Sequence, residues 1–211
     1  MASEEEKSKS KSKLNSKILR DDLNKVFESM GSLKIGLDEF MALNCAKVIA
    51  SYIAQGTVTT VDSGTGIGGG VYTGAGVGKM IINITMLSNL LLTTFKSKSE
   101  NPTLALRLAN DINSVCTVQN IITTATVGST VTPSGTPTLD GGVGLGTFSS
   151  TPALISTRLM SCFIQMDYLN KGGDSFFAQE FAEAIHTYMI TGTIKTTLQP
   201  PMTGNGNGII I

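Results

Sequence analysis

The chain has 211 residues, and 16 Lys and Arg balance 16 Asp and Glu, so its formal net charge is zero. Charged residues make up only 15% while 41% are hydrophobic, which excludes a disordered chain and a nucleic-acid binder working through a basic field. Gly (23), Thr (26) and Ser (20) fill about a third of the sequence, a composition suited to a protein whose surfaces are covered by copies of itself or by partners.

Residues 4–28 hold 13 charges, whereas 112–157 hold one, Asp140. The alternating Lys and Ser of 7–13 read as a solvated arm. The arm leads into an amphipathic helix with Leu14, Ile18, Leu19, Leu23, Val26 and Phe27 near one face. Residues 1–30 thus form a charged arm and helix, and 31–211 a single α+β domain. No apolar leader opens the sequence, which predicts a protein without a signal peptide. A helix over 37–55 is stopped by Gly56, and 57–79 read as two strands around a glycine-rich turn. The charge-free run 80–95 has helical length but is too short and polar to span a bilayer. Asn101 and Pro102 start a helix whose apolar face includes Leu104, Leu108, Ile112, Val115, Val118 and Ile122. A second Thr/Gly-rich excursion over 125–148 follows. The next helix covers 153–169, the last is capped by Asp174, and a final Thr/Gly-rich piece runs from Gly192 to Ile211.

Two segments resemble each other. From Asp38 and from Asp174, the pairs Phe40 and Phe176, Ala42 and Ala178, Ile49 and Ile185, Tyr52 and Tyr188, and Gly56 and Gly192 match without a gap. TGAGVG over 73–78 matches TGNGNG over 203–208. The pattern predicts helix-then-hairpin repeat units near 37–79, 103–148 and 174–211, hence a helical bundle bearing three Thr/Gly-rich β-hairpin excursions. Tyr52 and Tyr188 are expected to be buried at the roots of two hairpins, each with its hydroxyl at the wet edge.

The motifs that invite chemistry are each incomplete. Gly64, Gly66 and Gly69 satisfy GxGxxG, yet more glycines follow where a helix must open to meet a pyrophosphate. Gly76-Val77-Gly78-Lys79-Met80 resembles the end of a Walker A loop, but Thr73 replaces its first glycine and Met80 its hydroxyl residue. His186 is the only imidazole, and no GxSxG accompanies it. Asp21 and Asp22 lie in the charged arm, and Glu180 and Glu183 read as a solvated helix face rather than metal ligands. Cys45, Cys116 and Cys162 are odd in number and far apart, which predicts buried thiols in a reducing compartment. Phe176, Phe177, Phe181, Tyr188, Met160 and Met166 follow helical spacing and read as core, or as a helix interface between copies. No catalytic, cofactor-binding or metal-binding residues are assigned.

The helices followed by GTVTT and GTIKT, the TGAGVG and TGNGNG strands, and the low charge behind a mixed-charge arm resemble small virion proteins of tailed bacteriophages, in tail, neck or baseplate. The resemblance implies a non-enzymatic subunit, made in the host cytoplasm and assembled symmetrically in the virion with its own copies and other virion proteins. Bulk charge predicts no nucleic-acid partner, and hydropathy no membrane span. A capsid decoration protein, a fibre- or pilus-like subunit, and a small hydrolase using His186 are the other readings. Bare Thr/Val strands would need pairing across subunits by β-augmentation, and Ile209, Ile210 and Ile211 are expected to be buried against a neighbouring chain.

Overall fold

Asn15 opens the first helix by accepting the Lys17 amide on its side chain at 3.0 Å. The computed structural model describes residues 14–33, 35–65, 71–118, 121–126, 130–131, 143–169, 171–199 and 203–211. In it, α1 (Ser16–Met30) buries Leu19, Leu23, Val26 and Phe27. Gly36, in the left-handed region at φ 72°, starts α2 (Leu37–Gln55) at little steric cost. Asn83 caps α3 (Ile84–Lys96). Pro102 sits in the first turn of α4 (Asn101–Cys116), where its missing amide hydrogen costs nothing. α5 spans Ala153–Met166, and Gly172 at φ 79° starts α6 (Gly173–Thr191).

These six helices pack side by side in chain order, and α6 returns to α1, closing a ring. Alanines four residues apart line the buried faces of α2 (Ala42, Ala46), α4 (Ala105, Ala109) and α6 (Ala178, Ala182). Small side chains at that spacing let neighbouring helices approach closely. Phe177 of α6 stacks between Phe163 of α5 and Phe181, with ring centroids 5.7 and 5.4 Å away, and also meets Phe27 of α1.

The strands are β1 (Val58–Thr65), β2 (Val71–Met80), β3 (Ile121–Thr126), β4 (Thr130–Val131), β5 (Val143–Ser149), β6 (Thr193–Leu198) and β7 (Thr203–Ile210). All pairings are antiparallel. Six strands close on themselves in the order β1-β2-β3-β5-β6-β7 and back to β1, while β4 adds a two-residue pairing to β2. Alternation sends every second side chain into the lumen. Where the barrel meets the helices, Val58, Met80, Ile121, Phe148, Ile194 and Ile210 fill it and join one hydrophobic cluster with the helix ring. The chain is therefore a mixed α+β protein. Each hairpin of the barrel follows two helices in the sequence.

Several expectations are corrected. The hairpins are not separate excursions on a bundle, because their strands pair with one another into a closed barrel. Each barrel strand is hydrogen-bonded on both sides, so the edges needed for β-augmentation are already used within the chain. The helix expected to continue through Val118 and Ile122 stops at Cys116. Ile122 instead pairs with Lys79 and Leu145 in the sheet and points outward; non-local pairing overrides its apolar helical spacing. The helix expected over 153–169 ends at Met166, and Asp174 lies in the first turn of α6 rather than at its cap. The C-terminal strand pairs with β1 and β6 of its own chain, Ile210 is buried in the barrel, and the Ile211 backbone bonds to Thr57 in both directions. Ile210 is thus buried within its own chain, whereas Ile209 points outward.

Candidate functional site

Beyond the apolar floor, the barrel lumen turns polar. Thr60 on β1, Thr123 on β3 and Thr196 on β6 point inward and are buried, and Asp62, two residues beyond Thr60, is fully buried. The facing strands supply glycines. A Cβ at Gly76 would lie 2.6 Å from Asp62 Oδ2 and overlap Thr60 Oγ1, and one at Gly206 would overlap both Asp62 Oδ1 and Thr196 Oγ1. Hydroxyls and carboxylate therefore occupy room that any other residue would fill. Thr196 Oγ1 donates to Asp62 Oδ1 at 3.3 Å, long for a hydroxyl hydrogen bond. Thr123 Oγ1 donates to the Gly144 carbonyl at 3.5 Å. Asp62 Oδ2 and Thr60 Oγ1 have no partner among the described residues. Unpartnered oxygens in a buried carboxylate are costly and call for explanation.

A second cluster lies between the helices. The Tyr52 hydroxyl and His186 Nδ1 are 2.6 Å apart, and Ser16 Oγ donates to Glu183 Oε1 at 2.6 Å. Burial lowers the pKa of His186, with the Glu183 carboxylate opposing. Burial also pushes the Tyr52 phenol far above its usual value, and Glu183 adds to it. At the corresponding height on α6, the Tyr188 hydroxyl donates to Asn113 Oδ1 at 2.8 Å. Both tyrosines are buried, as expected. Their hydroxyls bond to helices two places away in the ring, α6 and α4, however, and not to a wet hairpin edge. A histidine acting as base for a Ser or Cys nucleophile needs that group in hydrogen-bond reach; the partner His186 has is a phenol.

The other sequence candidates fall elsewhere. Gly64 pairs with Tyr72 and Gly204 in the barrel, while residues 66–70 lie outside the described residues. Gly76 to Met80 are strand and α3 begins only at Ile84, so no helix opens at Lys79. Its ammonium donates to the Gln55 and Gly56 carbonyls at 3.1 and 2.8 Å, satisfying the end of α2. Glu180 and Glu183 are not merely a solvated face: Glu180 pairs with Arg158 at 2.8 Å, and Glu183 holds Ser16. Asp21 and Asp22 pair with Arg20 and Lys25. Cys45 and Cys116 are buried and free, with thiols pushed up to about 12 by burial, so neither offers a thiolate. Met160 is exposed, against its expected place in the core. No helix among the described residues is long and apolar enough to cross a membrane. The Asp62 cluster was missed by sequence reasoning, although Val58, Thr60 and Asp62 alternate as one strand face.

Comparison with protein-family models, with curated proteins and with solved structures returned no match.

Proposed function

We propose that this chain is a non-enzymatic structural subunit that assembles with copies of itself through the outer wall of its barrel. The observation that carries this is the composition of that wall. Val61, 72% exposed, Val77, Ile122, Val143 and Ile209 point outward, and Lys79 and Lys195 are the only charges on the outward positions of the described strands. Register brings these residues together: Val61 pairs with Ala75, Ile122 with Leu145, and Val143 and Val77 both with Thr124. A surface with only two charges and with exposed β-branched residues on five adjacent strands is suited to being covered.

On this reading the element order, a helix then a hairpin three times over with a further helix before each, reflects three repeat units near 37–79, 103–148 and 174–211, arranged about the barrel axis. A virion protein of tail, neck or baseplate is the setting that the resemblance in the helix-to-strand segments supports. Sedimentation of the full chain tests assembly: self-associated species at micromolar concentration are expected, and a monomer at every concentration would refute self-assembly. A protein inventory of purified virus particles tests the setting; absence of the chain from all of them would refute it.

A further inference from the structure

We propose that the barrel lumen is a binding site for a small monovalent cation of the sodium class, held by the Asp62 carboxylate and the inward hydroxyls of Thr60, Thr123 and Thr196. Asp62 is fully buried, and none of the ion pairs of the described residues involves it. Among the described residues its one hydrogen bond, from Thr196, is long, and Oδ2 has no partner. A carboxylate in low dielectric with so little compensation is strongly destabilising. Thr60 Oγ1, the nearest hydroxyl along the same strand face, is also buried and has no partner among the described residues, and the two oxygens flank the same bare glycine, Gly76. Two independent orphaned oxygens thus converge on one part of the lumen.

The donor set defines the ligand. Every group is a hard oxygen, which excludes soft metals. One carboxylate balances a single positive charge, and no group of three or more His, Cys, Asp or Glu able to hold a metal occurs among the described residues. A divalent ion would leave the lumen with an uncompensated positive charge, as costly as the bare carboxylate. Glycines at 76, 144 and 206 keep methyl groups out of the layer that holds the oxygens. This site is independent of how the outer wall is used.

Thermal unfolding of the full chain in sodium chloride and in choline chloride at equal ionic strength tests the proposal. A cation bound only by the folded state raises the midpoint with concentration, by about 5–10 °C for a hundredfold rise above its dissociation constant. Wild type is expected to show this rise in sodium and not in choline, and Asp62→Asn to show the same midpoint in both. Should Asp62→Asn fail to fold, Thr60→Val, which keeps the carboxylate, is expected to move the sodium response to concentrations about tenfold higher, the loss of one hydrogen-bond-strength ligand. Equal midpoints for wild type in the two salts would overturn the proposal. A sodium response retained in Asp62→Asn, or a rise with magnesium or calcium where sodium gives none, would overturn it as well.

Discussion

Where the barrel meets the helix ring, all six strands contribute a large apolar side chain, Phe148 and Met80 among them. Two to four residues further along β1, the lumen holds Thr60 and Asp62 instead. The two layers share strands, pairing and burial, and differ only in which side chains alternate inward. The apolar layer is packing: residues of complementary size meet across a narrow barrel and continue the helical core. The polar layer alternates threonine strands with glycine strands, and a carboxylate fits there only because Gly76 and Gly206 face it. Burying apolar area gives folding free energy in proportion to that area, whereas the Asp62 layer offers little of that kind. Stability therefore resides in the first layer and specific chemistry in the second.

Substitutions separate the two layers. Phe148→Ala removes a ring that packs against Tyr188 at 5.4 Å between centroids and lies over Gly192, and is expected to cost about 3–5 kcal/mol by chemical denaturation. Gly206→Ala forces a methyl into Asp62 and Thr196 and should cost about 1–3 kcal/mol by overpacking; a neutral result would show that the polar layer is loose. Tyr188→Phe leaves Asn113 Oδ1 without its donor and is expected to cost about 1 kcal/mol, well below the floor substitution.

The smallest effect is that of pH on His186. Burial holds its folded pKa below the ordinary 6.5, so in the window between the two values the unfolded chain binds more protons than the folded one. Stability therefore falls as pH drops through that window. Denaturation midpoints of wild type and His186→Asn across it should converge toward low pH, and parallel curves would show that His186 does not titrate differently on folding.

The sequence was legible where local rules decide the outcome. Gly56 ends α2, Pro102 opens α4, and Tyr52 and Tyr188 are buried at the ends of their helices. It was not legible where partners lie far apart in the chain. Nothing local tells that β7 closes against β1, or that Ile122 leaves a helical apolar pattern for a strand. Asp62 reads as one polar residue in a turn-rich stretch until closure brings Thr196, 134 residues away, to its carboxylate. The period-two pattern of glycines in TGAGVG and TGNGNG carried the missing information, since glycine at every second position of a strand marks a face that another side chain enters.

Assembly through the wall is tested most directly by Val61→Glu with Ile122→Glu, two outward positions whose change should leave the barrel folded. Sedimentation velocity is expected to show wild type self-associated at micromolar concentration and the double variant monomeric, with matching circular dichroism. Identical sedimentation of the two would contradict an assembly role for this surface.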